Sequence, residues 1–185
     1  MRTTKNDIAR SFMGQVARFG YRRSSVDDVA KDLRVSKKTI YGHFRSKEQL
    51  YAYAVAQWAA EQRARVESRL SQTSAAGQLR EVIGLAFEDA AAGFAATNRG
   101  QGWTHPPELL AQANDRVFAP WIRDLIIQGN QAGEFDVDDP DLMTAFGMAI
   151  AMEGMRRLAD NTDDNPVDEV TAAIMRLVTR NPPKE

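Results

Sequence analysis

The segment from residue 36 to residue 47 carries side chains whose types and spacing suit the binding of phosphates and base edges. Ser36 is a favourable N-cap residue. Ile40 and Phe44 lie four residues apart, so a short helix that begins here would dock through those two apolar side chains. The opposite face presents donors that are cationic or carry a hydroxyl: Lys37, Lys38, Thr39, Tyr41 and His43. The segment contains no acidic residue, and the first one after it is Glu48. Such a face suits a polyanion.

A second helix is predicted immediately upstream, in the position that would brace the first. The residues from Ser25 to Asp28 have the form of a capping box, and Val26, Val29 and Leu33 keep helical spacing. Helix, short turn and second helix form the layout of a helix-turn-helix, in which the second helix enters the major groove of DNA. From spacing alone, a solvated basic helix on a helical protein remains the alternative.

Charge is distributed unevenly along the chain. Residues 1–50 contain twelve Lys and Arg against five acidic residues, a net of +7, whereas the whole chain has a formal net charge of −1. The other 135 residues therefore carry −8. A basic head on an acidic body concentrates attraction for a phosphate backbone at one end of the chain.

Apolar periodicity predicts an all-α fold of about nine helices and no strands. Ile8, Phe12, Val16 and Phe19 form one stripe of the first helix, and Gly20 is a plausible stop. Pro120 either kinks the seventh helix or marks its true start. We expect a helix-turn-helix head over residues 1–46 and a helical body over residues 47–185. The predicted helices cover residues 5–19, 25–33, 36–44, 46–70, 78–97, 108–113, 115–132, 141–159 and a segment opened by Pro166.

Several classes of protein lack their signatures in this sequence. There is no Cys, no apolar run long enough to cross a bilayer, and no charged segment followed by an apolar one at the N-terminus. Nucleophile elbows, phosphate-binding glycine loops and paired metal-ligand motifs are missing as well. The Asp-rich segment at residues 136–141 lacks the Gly and Glu of a calcium loop, which favours helix capping. We therefore expect a cytoplasmic protein that is not an enzyme and has no metal or cofactor.

Residues 26–50, reading VDDVAKDLRVSKKTIYGHFRSKEQL, resemble the DNA-binding signature of the tetracycline-repressor (TetR) family of bacterial transcription regulators. The resemblance extends back to Phe19, Gly20 and Tyr21. It implies a DNA-binding transcriptional regulator, most commonly a repressor that a small molecule releases from its operator. Phosphate contacts are expected from Ser25, Lys37, Lys38, Tyr41 and Lys47, and base contacts from Thr39 and His43.

Two residues depart from the pattern of that family. Arg34 occupies a turn position where the family commonly has Gly, and a positive φ at a non-Gly residue costs about 1 kcal/mol. Gly42 is predicted inside the recognition helix, where Gly costs roughly 0.5–1 kcal/mol relative to Ala. Because Gly42 has no side chain to read a base, a base preference cannot be copied from a relative.

The last two predicted helices are the candidates for dimerisation. The eighth is apolar on most sides, and the ninth has a narrow stripe of Val167, Val170, Ile174, Leu177 and Val178. Two such helices from each of two chains can form a four-helix bundle, as the resemblance implies. The alternative is that both complete a monomer core. A homodimer would present two recognition helices to a palindromic operator in double-stranded DNA.

A ligand site in the body is predicted mainly from the resemblance, since helices of this layout surround a cavity in the family. An apolar cavity would take a hydrophobic or aromatic effector, and the long fourth helix, with Lys47 in its first turn, would couple the effector to the head. Each candidate can equally be an ordinary core residue. A small-molecule or partner-binding protein without sequence-selective DNA binding is the alternative function. The candidate ligand residues are Trp58, Phe87, Phe94, Trp103, His105, Phe118, Trp121 and Met152.

Overall fold

The computed structural model describes residues 3–96, 107–160 and 165–179. Nine α-helices and no strands lie within these ranges, which confirms the all-α prediction. Pro120 lies in the first turn of the seventh helix, so it marks a start and not a kink. The helices are α1 (Lys5–Phe19), α2 (Val26–Asp32), α3 (Lys37–Tyr41), α4 (Lys47–Arg69), α5 (Ala75–Ala96), α6 (Pro107–Val117), α7 (Ala119–Gln131), α8 (Pro140–Asp160) and α9 (Val167–Val178).

The chain divides into two compact units. The first holds the chain up to Glu61 and the part of α6 that ends at Asn114, and the second begins at Gln62 and resumes at Asp115. The boundary between residues 46 and 47 that the sequence suggested remains a prediction.

The first unit is built on α1, whose ends are set by local hydrogen bonds. Thr4 and Asp7 form a reciprocal capping box at the start of the helix, and Gly20 ends it with φ 77°. Phe12 is fully buried, with its ring centroid 6.4 Å from that of Tyr21 and 6.1 Å from that of Tyr51. The expectation that Phe19 faces inward is wrong, because 51% of its surface is exposed at the last residue of the helix.

Polar contacts join α1 to α2 and to α4 within the first unit. The Gln15 side-chain amide donates to Asp32 Oδ2 at 3.0 Å, which links α1 to the end of α2. The Tyr53 hydroxyl donates to Asn6 Oδ1 at 2.6 Å, and the Tyr53 ring packs on that of Phe44 at 5.4 Å. Tyr53 therefore connects α4 both to the start of α1 and to Phe44, which follows α3.

The second unit packs α5, α7, α8 and α9 around one apolar core. Gly154 of α8 lies so close to α5 and α9 that a Cβ there would be 2.7 Å from Phe87 Cζ and would also meet Val170. Glu134, in the turn after α7, reaches the start of α5 and accepts a hydrogen bond from the Ala76 amide at 2.8 Å. The turn after α7 therefore caps a helix far away in the sequence.

The Asp-rich segment before α8 caps that helix, as its spacing predicted. Asp139 Oδ1 accepts a hydrogen bond from the Leu142 amide at 3.0 Å. Within the described ranges, no three His, Asp or Glu side chains are grouped so as to hold a metal ion. No helix in the part of the chain that the structure describes has the length and apolar character needed to cross a membrane.

Candidate nucleic-acid interface

The first helix of the motif, α2, begins at a cap that uses the Ser25 hydroxyl twice. Ser25 Oγ accepts from the Asp28 amide at 3.1 Å and donates to Asp28 Oδ2 at 2.6 Å. The bond from Ser25 holds the pKa of the Asp28 carboxyl below its usual value. The structure thus places Ser25 at the predicted helix start, and a phosphate contact by its hydroxyl remains a prediction.

The turn between the two helices has the hydrogen bonds of a Schellman motif. The Val35 amide donates to the Ala30 carbonyl at 2.9 Å, and the Arg34 amide donates to the Lys31 carbonyl at 3.1 Å. Arg34 has φ 54°, in the left-handed region. An arginine therefore adopts the backbone conformation that glycine favours. The turn after α7 has the same pattern with Gly133 at φ 71°.

We expect Arg34→Gly to stabilise the protein against unfolding by up to about 1 kcal/mol, because glycine relieves the left-handed strain. Thermal unfolding followed by circular dichroism measures the change. Arg34→Ala is the matched control, since it removes the same charge but keeps a Cβ at positive φ. Equal stability of the two variants would contradict the strain at this turn.

The second helix, α3, is short and docks through the two residues that its spacing indicated. Ser36 Oγ accepts from the Thr39 amide at 3.1 Å. Ile40 and Phe44 are 1% and 3% exposed, which confirms the predicted docking face. Lys37, Lys38, Thr39 and Tyr41 are exposed on the other side, and His43 is half-buried.

Gly42 was predicted inside this helix, and that prediction is wrong. The helix ends at Tyr41, and Gly42 is its C-cap, with φ −69°. A Cβ at Gly42 would lie 3.3 Å from the Thr39 carbonyl oxygen. The penalty expected for glycine in a helix interior therefore does not apply at this position.

Lys37, the first residue of α3, is paired with an acid of α2. Its Nζ lies 2.5 Å from Asp27 Oδ1, and the two side chains are 59% and 49% exposed. The hydrogen bond to Asp27 raises the pKa of the Lys37 ammonium above its usual value. The predicted phosphate-binding group therefore already has an anionic partner when no DNA is bound.

Lys47, the first residue of α4, is bound to the segment that follows α1. Its Nζ donates to the Tyr21 carbonyl at 2.7 Å and lies 4.3 Å from the centre of the Tyr21 ring. The Tyr21 hydroxyl donates to Glu48 Oε1 at 3.4 Å. Lys47 thus fixes the start of α4, while its ammonium keeps further N–H donors for a phosphate.

Three exposed arginines of the first unit were not among the DNA contacts expected from the sequence. Arg22, Arg34 and Arg45 are exposed, like Lys38, and none of these four forms an ion pair among the described residues. As possible DNA contacts, they entered the sequence analysis only through the charge count over residues 1–50. They add positive charge that no internal carboxylate offsets.

The candidate ligand residues lie in different surroundings. Phe87 is 1% exposed and packs in the core of the second unit, whereas Trp58, in the first unit, is 39% exposed. Phe118 and Trp121 have ring centroids 6.4 Å apart, and Met152 is half-buried. Trp103, His105 and the side chain of Phe94 lie outside the described residues. Binding of a ligand by any of the eight stays a prediction.

Arg63 lies beside Trp121, one of the candidate ligand residues, and was not singled out from the sequence. Its guanidinium lies 5.2 Å from the centre of the Trp121 ring, within the second unit. Its buried Nε has no hydrogen-bond partner, and the nearest Glu67 oxygen lies 3.8 Å away. The Arg63 Nε–H is therefore available to donate a hydrogen bond to a polar group of a bound aromatic molecule.

Comparison with known proteins agrees with this geometry. The family model described as "Bacterial regulatory proteins, tetR family" matches residues 14–54, from the middle of α1 to the first turns of α4. This part of the chain carries the helix-turn-helix of the tetR family. The match covers the whole helix-turn-helix with its flanking supports. No curated protein sequence is significantly similar to that of this chain.

Solved structures share the fold of this chain over nearly its whole length. A protein from Shewanella sp. PV-4, assigned to the tetR family, is 19% identical with a TM-score of 0.71, over 97% of this chain and 100% of its own. RolR in complex with resorcinol is 16% identical, with a TM-score of 0.73, over 96% and 88%. A regulator from Saccharomonospora viridis in complex with choline is 18% identical, with a TM-score of 0.62, over 96% and 98%.

Proposed function

We propose that the chain is a sequence-specific DNA-binding repressor that acts in the cytoplasm and leaves a palindromic operator when it binds a small hydrophobic or aromatic molecule. The observation that carries the proposal is the docked α3 helix. Ile40 and Phe44 hold it to the first unit, so Lys38, Thr39 and Tyr41 project from its other side. Exposed donors on a rigidly docked helix are what the major groove requires.

The expected contacts divide into two kinds. Lys37, Lys38, Tyr41, Lys47 and Ser25 contact phosphates and set the position of the protein, whereas Thr39 and His43 reach base edges. Thr39 Oγ1 lies 2.9 Å from Ser36 Oγ, so its hydroxyl is oriented before DNA arrives. Exposed Arg22 and Arg45 join the phosphate-binding set.

A homodimer is supported by one exposed face of α8. Leu142 and Phe146 are 46% and 48% exposed, and Ala145 and Ala149 continue the same stripe at helical spacing. On α9, by contrast, Val170, Ile174 and Val178 are buried within the chain. The sequence suggested that both helices form this contact, and we now assign it mainly to α8.

The effector is expected to be aromatic or apolar, with at least one hydrogen-bond acceptor. Two proteins that share the fold were crystallised with resorcinol and with choline, so the fold holds small molecules in other chains. In this chain, Arg63 beside Trp121 provides a cation and a donor next to an aromatic ring. Effector binding changes the spacing of the two α3 helices, so the half-sites no longer match.

Selection of bound fragments from genomic DNA, followed by sequencing, tests this function. We expect an enriched inverted repeat whose half-sites lie about one or more helical turns apart. Enrichment without a repeat would contradict the palindromic operator, and no enrichment at all would favour the alternative of a small-molecule binder without selective DNA binding.

A further inference from the structure

We propose that Asp27 is a specificity-determining residue, whose carboxylate keeps Lys37 away from the phosphates of arbitrary DNA and releases it only on the operator. The inference rests on the proposed function, because it concerns how the same interface distinguishes two classes of duplex. Its basis is the ion pair between the first turns of α2 and α3, in which Lys37 Nζ lies 2.5 Å from Asp27 Oδ1.

Asp27 differs from the other two acids of α2 in the partner that it holds. Asp28 is bound to the Ser25 hydroxyl at the helix cap and lies 3.5 Å from Lys31 Nζ. Asp32 accepts from the Gln15 side chain of α1. Within the described residues, only Asp27 among these three pairs with a cation of the recognition helix. Its carboxylate therefore acts on a predicted DNA contact and not on the packing of the unit.

The pair is exposed enough for a phosphate to compete with it. Both side chains are about half accessible, at 59% and 49%. An ion pair this exposed favours the paired over the separated side chains by about fivefold or less. A DNA phosphate can thus displace the carboxylate where the geometry favours it. In a loose complex with arbitrary DNA, no base contact fixes the position of α3 on the duplex, so Lys37 stays with Asp27. On the operator, base contacts from Thr39 and His43 seat α3 and bring Lys37 to a phosphate.

The consequence appears in the salt dependence of binding. Each phosphate that a cation neutralises steepens the slope of log K against log salt concentration by about 0.9. In the wild type, Lys37 then adds to the slope on the operator but not on arbitrary DNA. Removing the Asp27 charge frees Lys37 on arbitrary DNA as well. The result is tighter non-specific binding and lower selectivity.

The test is fluorescence anisotropy of the full-length protein with a mixed-sequence duplex and with the selected operator, each over a salt series. We expect Asp27→Asn to bind the mixed duplex about three- to tenfold more tightly at 0.1 M salt, with a slope steeper by about 0.9. On the operator the slope should be unchanged. In Asp27→Asn combined with Lys37→Ala, the gain on the mixed duplex should disappear.

Glu61→Gln is the matched control, because it makes the same change in net charge at an exposed residue of α4 with no ion pair among the described residues. An equal gain in Glu61→Gln would overturn the proposal in favour of a general charge effect. A gain that persists without Lys37, or no gain in Asp27→Asn, would overturn it as well. Failure of the proposed function would appear differently, as equal wild-type binding to both duplexes at every salt concentration.

Discussion

Replacing Phe12 with alanine is expected to lower the free energy of unfolding of the first unit by about 3–5 kcal/mol. The side chain is completely buried, and its ring meets those of Tyr21 and Tyr51 edge-on at 6.4 and 6.1 Å. Truncation removes these contacts and leaves a cavity among aromatic rings that cannot readily close. The Tyr21 carbonyl holds Lys47, so the start of α4 should loosen at the same time.

Urea unfolding followed by circular dichroism measures the loss of stability, and anisotropy with the operator measures its effect on binding. Phe19→Ala is the control on the same helix, since that side chain is 51% exposed and its loss should change stability by less than about 0.5 kcal/mol. Similar losses in both variants would show that Phe12 does not anchor the first unit.

Gly129→Ala is expected to destabilise the second unit by about 1–3 kcal/mol. Gly129 lies in the last turn of α7, and a Cβ there would overlap the ring of Phe135. The ring cannot simply swing out, because Phe135 is 5% exposed and its amide donates to the Gly129 carbonyl at 3.2 Å. The added methyl group must therefore displace the turn that carries Glu134, the residue that caps α5.

Gly84→Ala provides the opposite control within the same unit. A Cβ at Gly84, in the interior of α5, would meet nothing within 4 Å. This substitution should stabilise the protein by about 0.5–1 kcal/mol through helix propensity alone. Thermal unfolding of both variants separates the two effects, and a neutral Gly129→Ala would contradict the close packing of Phe135 on α7.

Local features of the fold were predictable from the sequence because their causes are local. The Thr4 and Asp7 capping box and Gly20 place the ends of α1 at the predicted residues. Asp139 caps α8 as expected from its spacing. Such caps join residues three or four apart, which a linear pattern displays directly.

Contacts between distant residues were not predictable in the same way. Lys47 was expected at a phosphate, but it also binds the carbonyl of Tyr21, which lies 26 residues away. Glu134 caps α5 from 58 residues away, and no pattern in the sequence joins these two segments. Which apolar residues of α8 and α9 are exposed depends on packing, so the buried Ile174 and exposed Phe146 could not be distinguished by residue type.

The partner of Lys37 shows the same difference at the candidate interface. The sequence identified the two residues that dock α3, and the side chains expected to contact DNA remain predictions. It did not reveal that Asp27 on α2 lies beside Lys37, since that depends on how the turn at Arg34 sets the two helices. The types of side chain at the interface follow from the sequence. Whether each one is free to contact DNA depends on its neighbours in the fold, as the pairing of Lys37 with Asp27 shows.

The most direct test of sequence-specific regulation compares wild-type binding to the selected operator with binding to a shuffled duplex of the same composition, by anisotropy over a salt series. We predict selectivity of about 10³ or more at physiological salt, with a steep negative slope. Equal and weak binding to both duplexes would contradict sequence-specific DNA binding by this protein.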